Sequence, residues 1–378
     1  MPQNFQRAAA VGDHDANILM PNIFILLPSP HPTGPIKGAI ALANVISKQY
    51  PTTIVYLKNG PGVDTPMAPS IRIVSLADHG TLLQKIFAYR NMIRKRGDNA
   101  QGSVSLSFCF SADFTNLFCP NAVPKISYVR GNLPVNYQYE FGKIGFMVGV
   151  LHLFSLRWFR HVVAMNATMA DQIERFSGKR PHIVGNFVDE TYLGQYRNNR
   201  AIFKEGPFRF IYVGRLTALK RVQAILHAAR TLKRNGCSFH LDVVGDGELL
   251  PELIDLATQC HIEDIVTFHG HQKFPYDLMA QADCLVLPSI TEGVSRSVLE
   301  ALYLGVPCLV RNIDGNGELI TNGVNGYVFQ SDAELVDLMI KTARLSRKIS
   351  HADAELLPDN YRQAANTRKL IGIIDGGT

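Results

Sequence analysis

Short apolar segments alternate with helical segments along this chain in two successive series, and this alternation is the feature that most limits the fold. The first series predicts strands over residues 23–27, 53–57, 71–74, 104–108, 125–129 and 161–165. The second series predicts strands over residues 208–213, 240–244, 266–269, 284–287, 307–310 and 326–329. Strands that alternate with helices form parallel sheets with helices on their faces. We therefore expect an α/β protein with two Rossmann-like domains that face each other across a cleft.

The chain of 378 residues is long enough for two domains of ordinary size. A polar stretch at residues 195–207 has no apolar period, which is typical of a linker. Residues 1–19 are expected to be a disordered extension, with Met20 as an alternative natural start. The expected domains are residues 20–200 and 201–358, and a C-terminal helix within residues 359–378 is expected to cross back to the first domain.

The composition favours a soluble globular protein, with 46% hydrophobic and 19% charged residues. The first 19 residues contain Asp13, His14 and Asp15 where a secretory signal would need an apolar region. The six cysteines form no C-x-x-C pair, so we expect them to be reduced core residues of a cytoplasmic compartment. They are Cys109, Cys119, Cys237, Cys260, Cys284 and Cys308.

The formal charge of +6 is unevenly divided between the two halves of the chain. Residues 1–200 hold 20 Lys and Arg against 11 Asp and Glu, which gives +9, whereas residues 201–378 hold 18 against 21, which gives −3. This asymmetry predicts an anionic partner for the first half, either a membrane face or a phosphate-bearing acceptor. Solvated Lys and Arg with no partner would explain it equally well. Nucleic-acid binding is not expected, because the basic residues are not clustered with aromatic residues.

An apolar segment at residues 143–154 is followed directly by Arg157, Trp158 and Arg160. It is too short and too interrupted to span a bilayer. The favoured interpretation is a core helix of the first domain. The alternative is a helix whose basic and aromatic end contacts an anionic membrane surface.

Two carboxylates, Glu292 and Glu300, lie eight positions apart across a predicted junction between a strand and a helix. Both can face the crevice at the carboxyl end of the strand, where open α/β sheets bind their ligands. The backbone N–H groups around Ser295 to Ser297 lie at the positive end of the helix dipole and suit a phosphate. Because carboxylates accept hydrogen bonds from sugar hydroxyls, the segment predicts a site for a nucleotide that carries a sugar.

Two further loops are candidates for phosphate contacts. Gly214, Arg215 and Lys220 follow a predicted strand. A bound diphosphate would explain all three, because Gly214 allows a close approach of the backbone, Arg215 offers two parallel donors and Lys220 adds a positive charge. Arg and Lys in a surface loop are, however, usually only solvated. Residues 28–38, which include Gly34, predict a rigid loop before a helix that starts near Ala39, and a simple turn is equally compatible.

Other patterns favour structural roles or exclude classes of chemistry. Residues 244–249 are assigned mainly to a strand-to-helix turn, and Glu318 is either a carboxylate near the cleft or an acid at a helix N-terminus. None of the twelve histidines forms an H-x-x-x-H or H-E-x-x-H spacing, so no metal site is predicted. The absence of a G-x-S-x-G motif gives hydrolase chemistry no support.

Together these residues resemble the family 4 glycosyltransferases of the GT-B fold, which are retaining enzymes that use nucleotide-sugar donors. The likeness covers nearly the whole chain and is densest over residues 208–329. Its motifs are Gly214-Arg215-x4-Lys220, Gly245-Asp246-Gly247, Glu292-Gly293-x6-Glu300, Gly305-x-Pro307 and Glu318-x4-Gly323.

The resemblance implies roles for the candidate residues. Arg215 and Lys220 would hold the donor diphosphate, and Glu292 would bind hydroxyls of the transferred sugar. Glu300 would bind the ribose. The remaining candidates are backbone N–H groups at Gly293, Val294 and Ser295, and His271 near the base.

The chain also departs from the family pattern. Val294-Ser295-Arg296 follows the first acid where the family often has Phe-Gly or Phe-Pro. Many members place a histidine after an early strand of the first domain, where this chain has residues 108–111 with no histidine. Tyr128, Arg130 and Asn132, after the next strand, are the candidates for the missing donor on the acceptor side.

The resemblance implies a retaining hexosyltransferase that uses a nucleoside-diphosphate sugar, with UDP favoured over GDP. The expected acceptor is a glycan or a polyprenyl-diphosphate-linked glycan of surface polysaccharide, capsule or lipopolysaccharide synthesis. The enzyme would be cytoplasmic, with peripheral contact to the inner face of the cytoplasmic membrane. No cofactor and no essential metal are implied.

Two alternatives stay open. A sugar-nucleotide epimerase of the same fold would convert the donor without an acceptor. A non-catalytic partner would bind a sugar nucleotide or a glycan within an assembly complex.

Overall fold

The computed structural model describes residues 20–31, 33–63, 65–97, 102–186, 188–197, 206–313, 315–344 and 355–376. The expected disordered extension at residues 1–19 lies outside the described residues. The expected domain boundary at residues 200 and 201 also lies outside them, so the domain limits stay predictions.

The first half of the chain forms a parallel sheet of seven strands. They are β1 (Asn22–Leu27), β2 (Thr52–Tyr56), β3 (Arg72–Ser75), β4 (Ser103–Ser107), β5 (Lys125–Tyr128), β6 (His161–Ala164) and β7 (His182–Ile183). Their order is β3-β2-β1-β4-β5-β6-β7, so the order reverses between β1 and β4. All six predicted strands of this half occur. β7 was not predicted, because a strand of two residues is too short to show a period.

The described residues of the first half form six α-helices, and the last of them packs against helices of the second domain. They are α1 (Gly34–Ile46), α2 (Leu82–Gly97), α3 (Phe110–Leu117), α4 (Leu133–Ser155), α5 (Ala167–Ser177) and α6 (Glu190–Arg197). The predicted start of α1 near Ala39 is wrong, because the helix begins at Gly34. Pro35 has a fixed φ and no N–H, and both properties suit the first helical turn. The preceding loop is therefore shorter than expected.

The second half of the chain repeats this organisation with six parallel strands. They are β8 (Phe208–Val213), β9 (Phe239–Val244), β10 (Val266–Gly270), β11 (Cys284–Leu287), β12 (Cys308–Arg311) and β13 (Gly326–Phe329). Their order is β10-β9-β8-β11-β12-β13, which reverses between β8 and β11. The helices are α7 (Val222–Arg234), α8 (Leu250–Gln259), α9 (Tyr276–Gln281), α10 (Arg296–Tyr303), α11 (Asn316–Leu319), α12 (Asp332–Arg344) and α13 (Gln363–Ile374). The predicted α/β class with two Rossmann-like domains in a GT-B arrangement is confirmed.

The two domains contact each other where the loop after β11 meets the first sheet. The Asn166 side-chain amide donates to the Gly293 carbonyl at 2.7 Å, and the Asn186 amide donates to the Val294 carbonyl at 3.2 Å. These two amides hold the loop after β11 against the first domain. The strand order of the second sheet reverses next to β11, and parallel sheets bind ligands at the carboxyl ends of strands at such a reversal.

The last helix, α13, packs against the first domain. It contacts α1, and Asn366 accepts a hydrogen bond from the Gly185 N–H at 2.8 Å. The Tyr50 hydroxyl donates to Asp375 at 2.8 Å, just beyond the end of the helix. Helix α13 and Asp375 are thus hydrogen-bonded to the first domain.

The apolar segment at residues 143–154 lies in α4, which is broken at Phe141 and Gly142 by non-helical backbone angles. The chain reverses there, and a Cβ at Gly149 would stand 2.5 Å from the Cα of Pro134 in the first half of the helix. The second half packs against the first half through its glycines, whereas Ile144, Met147 and Leu151 are exposed. The core-helix interpretation is therefore wrong for this outer face.

No helix in the described part of the chain is long and apolar enough to cross a membrane. The six cysteines are all free. Cys109 and Cys237 are partly exposed, and the other four are buried.

Candidate active site

A cavity of about 640 Å³ lies between the two domains, at the carboxyl ends of β1, β8 and β11. Most residues that the sequence singled out line it. They are Gly34, Arg130, Gly214, Arg215, Lys220, His271, Glu292, Gly293, Val294, Ser295 and Glu300. Residues from positions 34 to 300 thus converge because the two sheets present their carboxyl edges to the same space.

Lys220 and Glu292 form an ion pair in this cavity. The Lys220 ammonium donates a hydrogen bond to Glu292 Oε1, and both side chains are partly buried. Lys220 ends the turn after β8, and Glu292 follows β11, the strand next to β8. A cation and a carboxylate that were expected to bind different parts of one ligand therefore contact each other directly.

Glycines bring the loops after β8 and β9 into close contact. Gly245 has a φ of +143°, and a Cβ there would overlap the Gly214 carbonyl. The Gly214 N–H donates to the Val244 carbonyl at 3.0 Å. This packing fixes the backbone that leads into Arg215, and residues 244–247 also line the cavity, so the turn is part of the site as well as of the fold.

Gly293 lies where the second domain closely approaches the first in the cavity. A Cβ at this position would stand 2.8 Å from the Arg130 carbonyl oxygen and would overlap the Met165 methyl group. Only glycine fits without a shift of the neighbouring backbone. The close contact aligns residues 293–295 with the start of α10.

Glu300 is buried and bound by two side chains of the second domain. Arg296 Nε donates to Glu300 Oε1 at 2.7 Å, and the Tyr276 hydroxyl donates to the same oxygen at 3.4 Å. Burial lowers the pKa of Arg296, but the charges and hydrogen bonds of Glu300 and Tyr276 together outweigh this effect, and the pKa is raised. Burial, followed by the Glu300 charge, raises the pKa of Tyr276, so this hydroxyl stays protonated.

Arg296 Nη1 is buried and has no hydrogen-bond partner. A buried guanidinium N–H without an acceptor is costly. Since Arg296 lines the cavity, an oxygen of a bound molecule or of water could accept this hydrogen bond.

Arg130 enters the cavity from the first domain. Its guanidinium donates to the Asn186 side-chain oxygen and lies over the rings of Tyr128 and Phe108, at 5.2 and 5.7 Å from their centroids. Burial, and to a smaller degree the charge of Arg296, lowers the pKa of Arg130. Two guanidinium groups that repel each other in one cavity favour an anionic ligand.

Of the three expected acceptor-side residues, Arg130 lines the cavity, whereas Tyr128 and Asn132 do not. The buried Tyr128 hydroxyl donates to the carbonyls of Val184 and Gly185 at 2.8 and 3.0 Å. Asn132 caps α4 by accepting from the Val135 N–H at 3.4 Å. The Tyr128 hydroxyl is thus bound within the first domain, and the Asn132 side-chain oxygen is bound at a helix end.

Glu318 also lies away from the cavity. It is in the first turn of α11 and accepts a hydrogen bond from the Tyr361 hydroxyl at 3.5 Å. Of its two interpretations, the acid at a helix N-terminus agrees with this position. In the described ranges, no group of three or more His, Cys, Asp or Glu is placed to hold a metal ion.

The sequence interpretation missed Arg296 and Tyr276 as parts of the site. Arg296 could have been found, because it lies one helical turn before Glu300, and oppositely charged residues at this spacing interact. Tyr276 carries no such pattern, since it comes from α9 and meets Glu300 only through the packing of the domain. The cavity lining combines five cationic side chains, three carboxylates and the N-terminal end of α10. It suits a ligand that has phosphates and hydroxyls.

Residues 196–353 match the family model described as glycosyl transferases group 1. The lipopolysaccharide 1,6-galactosyltransferase of Escherichia coli K12 is 30% identical over 174 residues, which are 44% of this chain and 48% of that protein. The UDP-Gal:alpha-D-GlcNAc-diphosphoundecaprenol alpha-1,3-galactosyltransferase of Escherichia coli is 30% identical over 161 residues, 42% of this chain and 39% of that protein. The chain thus spans about half the length or less of these curated relatives.

A likeness in fold extends over nearly the whole chain. The crystal structure of Anabaena HepE in complex with UDP and glucose superimposes with a TM-score of 0.71 at 17% identity. The match covers 94% of this chain and 99% of that one.

Proposed function

We propose that this protein is a glycosyltransferase, because residues 196–353 match the family model of the glycosyl transferases group 1. It transfers a sugar from a nucleoside-diphosphate sugar to a hydroxyl group of a glycan or lipid-linked glycan, with retention of configuration. The product belongs to surface polysaccharide, capsule or lipopolysaccharide synthesis. Lipopolysaccharide and a diphosphoundecaprenol-linked acceptor appear in the names of two relatives, which supports this class of acceptor.

One observation carries the proposal: Arg215, Lys220, Glu292 and Glu300 line one cavity together with the start of α10. Arg215 and Lys220 supply positive charge for a diphosphate, and the first N–H groups of α10 have no carbonyl within their helix to bind. Glu292 and Glu300 offer acceptors for the hydroxyls of the sugar and of the ribose. This combination matches the two chemical parts of a nucleotide sugar.

In the proposed reaction, the bond between the anomeric carbon and the diphosphate oxygen breaks, and the diphosphate leaves with the electron pair. Arg215 and Lys220 stabilise the charge that develops on it. The acceptor hydroxyl then attacks the anomeric carbon on the same face, and its proton passes to the leaving diphosphate. Glu292 holds the hydroxyls of the transferred sugar while its ring carries positive charge. Closure of the cleft excludes water.

UDP is the favoured nucleotide of the donor. The HepE complex contains UDP, and the name of one relative contains UDP-Gal, which supports this choice. A GDP-sugar remains the second option, because no residue of the cavity distinguishes uracil from guanine.

The first experiment measures the melting temperature of the purified protein with UDP, GDP, ADP and CMP at millimolar concentrations. A ligand that binds only the folded state stabilises it by RT ln(1 + [L]/Kd). We expect one diphosphate, UDP, to raise the melting temperature selectively. The absence of a shift with all four nucleotides would contradict the proposal.

The second experiment incubates the protein with UDP-sugars and a glycan acceptor, and determines the anomeric configuration of the product by NMR. Transfer with retention supports the proposal. Conversion of the donor in the absence of acceptor would instead support an epimerase. Nucleotide binding without conversion or hydrolysis of any donor would support a binding partner.

A further inference from the structure

We propose that the outer face of the first domain, formed by α3, the second half of α4 and the turn that follows it, binds the surface of an anionic lipid bilayer. This inference rests on the proposed function in one respect, because the surface would hold a lipid-linked acceptor near the cleft. The binding itself depends only on the surface described below.

The second half of α4 presents an apolar stripe to solvent. Ile144, Met147, Leu151 and Trp158 have exposed fractions of 74%, 65%, 64% and 59%. With the 40% exposed Phe154, they are spaced three and four residues apart along α4 and the 3-10 turn Leu156–Trp158 that follows it, so those within α4 lie along one side of the helix. Such a stripe normally faces a protein core, and here it faces outward.

Helix α3 carries a second stripe of the same kind. Phe110, Phe114 and Phe118 follow each other at intervals of four residues, and all three rings are exposed. Neighbouring rings contact each other, with centroids 6.3 and 5.3 Å apart. Phe110 also contacts the buried His152 ring of α4 at 5.1 Å, so the two helices pack against each other. Two helices of the same domain, in contact through this ring, thus each expose apolar side chains.

The packing of α4 explains why this surface has no cover. The inner side of its second half, with Gly145 and Gly149, contacts the first half of the same helix. His152 is buried and binds Asp113 at 2.8 Å. The inner side of this half of α4 therefore packs within the first domain, and its outer side is left exposed. Large exposed apolar patches on a folded protein mark protein or membrane contacts.

The charges around the surface favour a bilayer with anionic headgroups. Helix α2, which packs against α3, carries five basic and no acidic residues. Lys143, Arg157 and Arg160 are exposed at the two ends of the α4 stripe, and the Arg157 guanidinium lies 3.6 Å above the Phe154 ring centroid. Glu140 is the exposed acid of α3 and α4. An apolar stripe with basic and aromatic ends is typical of helices that lie in the membrane interface.

A second copy of this chain fits the surface less well. Two copies face to face would place the same basic residues against each other, and this repulsion disfavours such a dimer. Anionic phospholipids instead attract each Lys or Arg near the membrane.

The proposed membrane-binding surface lies near the cleft. α3 follows β4 and α4 follows β5, so both helices begin at the carboxyl edge of the first sheet, the edge that faces the cavity. A bilayer bound here would lie beside the cleft opening. An acceptor anchored in that bilayer would reach the donor without leaving the membrane.

The test uses Trp158, the only tryptophan of the chain, as a reporter within the proposed surface. The full chain is titrated with phosphatidylcholine vesicles, with and without one quarter phosphatidylglycerol, and its fluorescence and sedimentation are followed. We expect a blue shift of the Trp158 emission and co-sedimentation with the anionic vesicles, both weakened by salt. Equal binding to neutral vesicles, or none to either, would overturn the proposal.

Matched variants locate the contact. Met147→Gln/Leu151→Gln removes two exposed apolar side chains and is expected to weaken vesicle binding by at least about tenfold. Ile254→Gln/Val324→Gln changes two exposed apolar residues of the second domain and is expected to bind like the parent. Equal binding by both variants would overturn the proposal.

Two measurements distinguish bilayer binding from a loss of nucleotide binding and from dimer formation. The melting-temperature shift with UDP is expected to be the same in both variants, so failure of nucleotide binding is recognised independently of vesicle binding. A blue shift that grows with protein concentration in the absence of vesicles, together with a dimer in light scattering, would assign the surface to a second copy and overturn the bilayer proposal.

Discussion

At the scale of single residues, the cavity contains charged side chains that are paired with each other before any ligand is present. Lys220 binds Glu292, and Arg296 binds Glu300. A ligand with phosphates and hydroxyls would replace these contacts by its own. Until it binds, the ion pairs keep the four side chains oriented toward the cavity. Removal of one member therefore affects ligand binding through the other.

Glu292→Gln is expected to lower turnover by about 10²–10³-fold, because it removes the negative charge beside the reacting sugar. The Lys220 pair is partly exposed, so its loss is expected to change the free energy of unfolding by less than about 1 kcal/mol. Initial rates with a UDP-sugar and thermal unfolding measure the two effects. The control is Glu252→Gln, on the exposed face of α8, which is expected to act like the parent. A Glu292→Gln variant with half the parental turnover would contradict the assigned role.

Arg296→Met is expected to weaken UDP binding by about tenfold, which is about 1.4 kcal/mol. Glu300 would lose the guanidinium that orients it. Calorimetric titration with UDP and with uridine separates two roles: a loss for both ligands indicates action through Glu300 on the ribose, whereas a loss for UDP alone indicates a direct phosphate contact. The exposed Arg234→Met is the control.

A double-mutant cycle of Arg296→Met with Glu300→Gln tests whether the two residues act together. We expect a coupling energy of about 1–3 kcal/mol in UDP binding, as for residues in direct contact. Unchanged or tighter UDP binding by Arg296→Met would show that the pair does not support the nucleotide site.

At the scale of elements, the site depends on loops that approach each other more closely than side chains allow. The loops after β8 and β9 meet at Gly214 and Gly245, and the loop after β11 meets the first domain at Gly293. The helix that follows, α10, takes its direction from this contact. Its N-terminal end and Glu300, one turn further on, therefore face the cavity together.

Gly293→Ala is expected to reduce turnover at least about 100-fold, because displacement of the reacting groups by about 1 Å has this effect. Overpacking against Met165 and the Arg130 carbonyl is expected to cost about 1–3 kcal/mol of unfolding free energy. Gly372→Ala is the control, since no atom lies within 4 Å of its Cβ position and alanine stabilises a helix by about 0.5–1 kcal/mol relative to glycine. Urea unfolding and initial rates measure both variants. Full activity of Gly293→Ala would show that the domains do not need this close contact.

At the scale of the whole molecule, two parallel sheets of seven and six strands face each other, and the chain connects their domains twice. The first connection leads from β7 to β8, and the second is made by α13 with the 3-10 turn Asp359–Tyr361 before it. The Tyr361 hydroxyl reaches Glu318 of the second domain, whereas α13 rests on the first. The segment from Asp359 to Ile374 therefore contacts both domains.

Asn366→Ala is expected to lower the free energy of unfolding of the first domain by about 1–3 kcal/mol, since it leaves the buried Gly185 N–H without its acceptor. Urea unfolding followed by the fluorescence of Trp158, which lies in this domain, measures the effect. Asn360→Ala, whose side chain is exposed, is the control. A parental unfolding midpoint for Asn366→Ala would show that α13 does not stabilise the first domain.

Most of the fold could be predicted from the sequence, because buried parallel strands are continuous apolar runs with clear ends. All twelve predicted strands occur. The resemblance to the family 4 glycosyltransferases is confirmed by the family match over residues 196–353. The errors are at places where the local pattern was misleading: the start of α1, hidden by prolines and glycines that also suit a loop, and the outer face of α4, whose apolar residues looked like a core.

The sequence by itself determined the two α/β domains and the cations and carboxylates of the second half, since these depend on periodicity and on motifs within short segments. Only the tertiary structure decided that the Tyr128 hydroxyl binds backbone carbonyls, that Tyr276 meets Glu300, and that α4 turns an apolar stripe outward. The physical reason is the same in each case. Burial and hydrogen bonding depend on partners that are distant in the chain, and packing alone brings those partners together.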